Sequence, residues 1–195
     1  NFKKFDIVLF AIKPQILEKI LKKLEGIQFK NNILFLSIVA GKKISFYEKF
    51  LVKNNQFIRL MPNMPAFVNE GVTCLVANRY TKRINKKKAI SLFESVGKVI
   101  EFKTEKDLDK ATAISGSGPA YYFLFIHLLE ESALKLGFSK KLSKEIVQQT
   151  ALGSIKLLLN SNKTSEKLLK SIAVKGGTTE AAIKQFNQNN ITKKI

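Results

Sequence analysis

Tryptophan is absent from the 195 residues, and there is one cysteine, one histidine and only four prolines. A single cysteine excludes an internal disulfide and leaves no second thiolate for a metal site. Cys74 lies in the apolar stretch Val72-Thr73-Cys74-Leu75-Val76 and reads as a buried structural thiol. No metal site is expected. Long hydrophobic runs are missing too: none approaches the roughly 20 residues that a membrane-spanning helix needs. The start, Asn1-Phe2-Lys3-Lys4, has none of the regions of a signal peptide. A soluble cytoplasmic protein is the expectation, with no membrane partner.

Acidic residues are scarce. Fifteen Asp and Glu stand against 34 Lys and Arg, a formal charge of +19. Such an excess alone would suggest a nucleic-acid or other polyanionic partner. Its make-up argues otherwise, because only Arg59, Arg79 and Arg83 carry the planar guanidinium that reads phosphates and base edges in bidentate fashion. The densest lysine clusters, Lys86-Lys87-Lys88 and Lys42-Lys43, are not interleaved with aromatics as in a single-strand binding groove. Solvated basic faces are the expected reading, and no nucleic acid is expected as a partner.

What the chain does have is a 45% apolar composition, enough for a buried core, arranged in two different patterns. The first half alternates apolar runs with amphipathic stretches, as in an α/β domain with a parallel sheet. Phe5 to Ile12 is nearly continuous in apolar residues and predicts a strand buried on both faces. Pro14 then opens a helix whose Ile16, Leu17, Ile20, Leu21 and Leu24 share one face. Asn31-Asn32 turns the chain into a second buried strand, Ile33 to Val39, ending at Ala40-Gly41. Shorter strands are predicted at Phe57–Leu60, Val72–Asn78 and Lys98–Phe102, with a helix near Thr81–Ser95.

After Phe102 only helical periodicity remains, which places a domain boundary near Lys103, with residues 1–103 and 104–195 as the two parts. Tyr121 to Leu129 is apolar all round and needs cover on every side, which predicts a dimer interface around that helix. His127 within it reads as a core or interface histidine. The next helix starts after Ser139, a suitable N-cap, and runs to about Asn160 with Gly153 inside it. An interior glycine costs about 1 kcal/mol relative to Ala, and close helix packing is the expected reason. Helices near Ser165–Ile172 and Glu180–Asn187 follow.

Neither candidate phosphate cradle stands. Gly116-Ser117-Gly118 has Tyr121 where the dinucleotide fingerprint needs its third glycine, and Gly41-Lys42 lacks the first glycine and the Ser/Thr of a phosphate loop. Gly176-Gly177-Thr178-Thr179 at a helix start offers amides, hydroxyls and the positive helix end, either as a site for a small carboxylate or as an ordinary capped turn. Glu105, Asp107 and Asp109 form an acidic group that serves either helix-start complementarity or function. Met61-Pro62-Asn63-Met64-Pro65 is a rigid turn after a strand, open to a ligand-binding or a purely structural reading.

Taken in order, Ile12-Lys13-Pro14-Gln15, Ser37-Ile38-Val39-Ala40-Gly41, Arg59 to Ala66 (RLMPNMPA), Ser115 to Tyr121 (SGSGPAY) and Gly176-Gly177-Thr178-Thr179 resemble the pyrroline-5-carboxylate reductases along nearly the whole chain. The resemblance implies a Rossmann-like parallel sheet, incomplete at its N-terminus, followed by an all-α dimerisation domain. It implies reduction of 1-pyrroline-5-carboxylate to L-proline, the last step of proline biosynthesis, with NADPH or NADH as cofactor. By the same resemblance Ala11, Ile12, Lys13, Pro14, Ile38, Val39, Ala40 and Ser171 lie at the cofactor. Glu105, Asn162, Gly176, Gly177, Thr178 and Thr179 lie at the substrate. Thr179 is the catalytic candidate, with its hydroxyl or a water as proton donor to the imine nitrogen. The family's opening strand and Gly-rich turn have no counterpart here, so the 195 residues alone are expected to be inactive. Lys175 stands where Pro is common in the family.

Overall fold

In the computed structural model, residues 4–51 and 54–191 are described. They divide into two compact units, Asn1–Phe123 and Leu124–Ile195. The first holds a five-stranded sheet in the order β1 (Ile7–Phe10), β2 (Leu34–Ser37), β3 (Gln56–Met61), β4 (Gly71–Ala77) and β5 (Gly97–Glu101).

β1, β2 and β3 run parallel, linked by α1 (Pro14–Leu24) and by the short α2 (Ile44–Tyr47). Proline at the start of α1 has its φ pre-set and no N–H to leave unsatisfied. Asn32, the turn residue before β2, takes a left-handed φ of 67°. Leu17, Leu21 and Leu24 bury the apolar face of α1 against Phe10, Phe35 and Phe57, whose rings stack across three neighbouring strands. β2 is buried at every position.

Two expectations change. The sheet is not wholly parallel: β4 runs antiparallel to β3, with Arg59 opposite Val76 and Met61 opposite Cys74. The connection, a turn built on the 3₁₀ segment Met64–Val68, is too short for a crossover of a dozen or more residues. β5 then returns parallel to β4 by way of α3 (Arg83–Glu94). Nor is β1 buried on both faces. It is an edge strand among the described residues, and Leu9 is 42% exposed.

Where β4 meets β5, two glycines are forced by contact. A Cβ on Gly97, whose φ is +140°, would lie 2.0 Å from the Gly71 carbonyl oxygen, and one on Gly71 would lie 2.9 Å from Ala66. Cys74 is buried as expected, packed with Val76 against Leu108 of α4 (Glu105–Ser115). That packing keeps α4 with the sheet. The change in secondary structure at residue 103 therefore precedes the change in packing, which falls inside α5 (Gly118–Lys135).

The second unit contains the rest of α5, then α6 (Lys140–Leu159), α7 (Ser165–Ile172) and α8 (Thr178–Gln188). Ser139 and Thr164 cap α6 and α7 by accepting from the Leu142 and Lys167 amides. Little is buried here beyond Ala133, Ser143 and Val147. Gly153 has nothing within 4 Å of a would-be Cβ, so close packing within the chain does not explain it. His127 is exposed, which excludes the core reading of that residue. No helix among the described residues is long and apolar enough to cross a membrane.

Candidate functional site

The parallel strands β1 and β2 end side by side, Phe10 opposite Ser37, and the Ile38 amide donates to the Phe10 carbonyl at 3.1 Å. This register brings Ala11, Ile12, Lys13 and Pro14 next to Ile38, Val39 and Ala40 at the carboxyl edge of the sheet. Carboxyl edges of parallel strands are where open α/β sheets bind ligands. Ala11 and Ala40 are small and exposed, Ile12 and Ile38 half-buried, and Gly41 turns the chain with a φ of +70°, whereas the Val39 side chain is buried in the core and leaves only its backbone at this edge. A flat, weakly polar ring can approach such an edge closely. None of these residues forms a phosphate cradle.

Beneath the 38–40 loop lies a polar network. The Ser37 hydroxyl accepts from the Val39 amide at 3.1 Å and is hydrogen-bonded to the Tyr47 hydroxyl. Tyr47 is fully buried, its ring 4.6 Å from that of Phe57 and 5.4 Å from that of Phe10. Burial pushes its hydroxyl above the usual tyrosine range, partly offset by the Ser37 hydrogen bond and by the nearby Arg59 charge.

Arg59, near the end of β3, is 3% exposed, an unusual place for a guanidinium. Its two terminal nitrogens are both paired, Nη1 with Glu105 Oε1 at 3.1 Å and Nη2 with Asp109 Oδ1 at 2.7 Å. The two carboxylates reach one arginine because they stand four residues apart on one face of α4. Glu105 Oε1 also accepts from the Ile44 amide at 3.0 Å, capping the first turn of α2.

The acidic group therefore divides. Asp107 belongs to a helix start: its amide donates to the Thr104 hydroxyl, which in turn donates to its carboxylate. Those bonds to Thr104, and then Lys110, hold the Asp107 carboxyl below its ordinary range. Glu105 and Asp109 face inward to Arg59. Sequence reading singled out Glu105 but missed Arg59 and Tyr47. The signal available for Arg59 was an arginine inside an otherwise apolar strand of a chain that prefers lysine.

The Met61–Pro65 turn has a structural use. The Asn63 carboxamide donates to the Ser115 carbonyl at 3.0 Å and accepts from the Val72 amide at 2.8 Å, tying the turn to the end of α4. Gly116 and Gly118 make the corner between α4 and α5 rather than a phosphate loop. A Cβ on Gly116 would sit 2.8 Å from the Thr112 carbonyl oxygen.

In the helical unit, Gly176 takes a φ of +78° and Gly177 is the N-cap of α8, with Thr178 and Thr179 opening the helix. The first N–H groups of a helix have no intrahelical acceptor. The Gly176 amide is not available for a substrate, because it donates to the Glu180 carboxylate at 2.7 Å. Ser171 is exposed at the end of α7, its hydroxyl donating to the Leu168 carbonyl at 2.7 Å. Asn162 is exposed in the turn between α6 and α7.

A cavity of about 810 Å³, lined by the Gly26-to-Asn32 turn and Asn55, lies at the amino end of β2 and β3. It contains none of these residues. Among the described residues no cluster of His, Cys, Asp and Glu could hold a metal.

Comparison with known proteins gives the family. Residues 105–195 match the family described as pyrroline-5-carboxylate reductase dimerisation. The chain is 33% identical over 188 residues to the pyrroline-5-carboxylate reductase of Vibrio alginolyticus, covering 96% of this chain and 69% of that protein. It is 32% identical over 188 residues to the Arabidopsis thaliana enzyme, covering 96% and 67%. Among solved structures, the pyrroline carboxylate reductase of Plasmodium falciparum with NADP bound superposes with a TM-score of 0.90 at 33% identity, covering 98% of this chain and 72% of that one. The Coxiella burnetii enzyme gives 0.87 at 34% identity, covering 98% and 71%. This chain belongs to the pyrroline-5-carboxylate reductase family.

Proposed function

We propose that this chain reduces 1-pyrroline-5-carboxylate to L-proline, with residues 11–14 and 38–40 lining the nicotinamide end of the cofactor cleft and the start of α8 taking the substrate carboxylate. The observation that carries the reading is the pairing of those two loops at the carboxyl edge of β1 and β2, in a chain 33% identical to a named reductase over 96% of its length.

NADPH or NADH, when bound, supplies the hydride. The carbon of the ring C=N bond gains that hydride and the nitrogen gains a proton, so the double bond becomes CH–NH. The protein's part is placement and charge. The amides and hydroxyls of Thr178 and Thr179, with the positive end of α8, suit a carboxylate. Gly176 contributes its left-handed turn rather than a donor, and Gly177 the cap. Thr179 is half-buried, and its hydroxyl or a water it holds gives the proton. Glu105 is placed near the substrate ring by the resemblance, with its carboxylate already engaged by Arg59 and the Ile44 amide. Asn162 and Ser171 have lesser roles, at the substrate and at the cofactor.

Residues 104–195 serve as dimerisation and substrate domain, and the working form is a homodimer or a higher assembly of dimers in the cytoplasm. α5 supports this, with Tyr121, Tyr122, Phe123, Leu124, Phe125 and Leu128 all more than half exposed. Covering the half of each side chain that is still exposed would gain on the order of 1 kcal/mol.

The test is oxidation of NADPH and of NADH by the protein expressed from its complete reading frame, with and without 1-pyrroline-5-carboxylate, and identification of proline as product. Proline formed in step with cofactor consumed is expected. A folded, dimeric protein that consumes no cofactor with this substrate would falsify the reading.

A further inference from the structure

We infer that Arg59 and Tyr47 are positioning residues for cofactor binding: together they hold the 38–40 loop from beneath through a chain of hydrogen bonds that begins on α4. The inference rests on the reading that this loop faces the nicotinamide end of the cofactor.

The chain of contacts is continuous. Asp109 and Glu105 on α4 grip the Arg59 guanidinium at 2.7 and 3.1 Å. The same Glu105 oxygen accepts from the Ile44 amide at the start of α2. α2 is a single turn of four residues, too short to hold its place by its own hydrogen bonds, so this bond from a distant helix fixes its first residue. Tyr47, the last residue of α2, bonds the Ser37 hydroxyl, which accepts from the Val39 amide inside the loop.

A cheaper solution for packing alone was available. A buried ion pair is often matched or bettered by apolar residues of similar volume, and β3 is otherwise apolar at Phe57, Ile58 and Leu60. What an apolar residue at position 59 cannot do is fix the direction of Glu105, and through it the register of α2 under the loop. Lysine cannot replace arginine either. A point charge on a flexible stem does not bridge two carboxylates with the planar fork that Arg59 uses. Tyr47 has the same logic at the other end, since phenylalanine would fill its aromatic site beside Phe10 and Phe57 but would let go of Ser37.

The experiment measures the dissociation constant of NADPH by fluorescence, without substrate, for the full-length protein and its Tyr47→Phe and Arg59→Lys variants, together with KM for each reactant and the melting temperature. Tyr47→Phe leaves every ion pair in place and keeps the ring, so it folds even if changes at Arg59 do not. Both variants are expected to weaken NADPH binding about tenfold, the order of one lost hydrogen bond. In Tyr47→Phe, which leaves Glu105 held by Arg59, KM for 1-pyrroline-5-carboxylate should stay within about twofold of wild type, a split that a general loss of stability does not produce. Unchanged NADPH affinity in Tyr47→Phe, with only the melting temperature lowered, overturns the inference and makes the network a structural tie. A wild-type protein that binds NADPH but forms no proline ends the reaction reading alone, because the binding constants of the variants still decide the inference.

Discussion

The two units of this chain use apolar residues in opposite ways. In the sheet unit Phe35, Leu36, Ile58, Leu60 and Leu75 are sealed from water between strands and helices. In the helical unit and its leading helix, residues of the same kind stand in the open: Phe125, Leu128, Leu157 and Leu159 are all more than half exposed. A sheet buries itself by crossovers from its own chain, whereas four helices with few mutual contacts leave faces for something else to cover. Residues 105–195 match a family described as dimerisation, which supports a homo-oligomer. Apolar composition alone does not distinguish a core from an interface.

The sharpest way to break this comparison is to delete one ring on each side. Phe35→Ala should cost about 3–5 kcal/mol, because a fully buried ring leaves a cavity. The loss is read as a lower denaturant midpoint at any protein concentration. Phe125→Ala should instead make stability depend on concentration and shift the protein toward monomer by light scattering. Equal, concentration-independent losses in both would end the distinction.

Arg59→Met should cost about 3 kcal/mol, since it strands two carboxylates that keep some contact with water. Urea denaturation measures it, and a loss under 1 kcal/mol would mean that the carboxylates simply rehydrate. The two units also share a device, a hydroxyl cap at a helix start. Thr104→Ala and Ser139→Ala should each cost about 1 kcal/mol. A larger loss at Thr104 would show that α4 is fixed by its cap as well as by Arg59.

The smallest effect is one of pH. Tyr47 has its folded-state pKa raised, so its protonated form is favoured by folding. The unfolded chain gives up that proton first as pH rises past about 10. Stability present below that value is then lost as pH climbs toward the folded pKa. Tyr47→Phe should lack this component, so the gap between wild type and variant narrows above pH 10. A constant gap would refute burial as the cause.

Much of the sheet was legible because local pattern and tertiary role coincide there. Pro14 with its leucine spacing, the Asn31-Asn32 turn and the run Ile33–Val39 became α1, a left-handed turn and β2. The reversal between β3 and β4 was not legible, since an apolar run has no direction. For the site, the family resemblance singled out the loops after β1 and β2 and the start of α8. It could not foresee that Glu180 takes the Gly176 amide, a bond that depends on the angle at which the turn enters the helix.

The sequence by itself determined the family, the five strands, the helices α1, α3 and α5 to α8 in order and the Ser139 cap, because each depends on neighbours a few positions away or on motifs read in order. The tertiary structure alone decided that Arg59, Glu105 and Asp109 share one buried charge network and that Tyr47 underlies the 38–40 loop. The Arg59 contacts join residues about fifty positions apart on β3 and α4, and the cost of burying a guanidinium is met only when the fold brings both carboxylates to it.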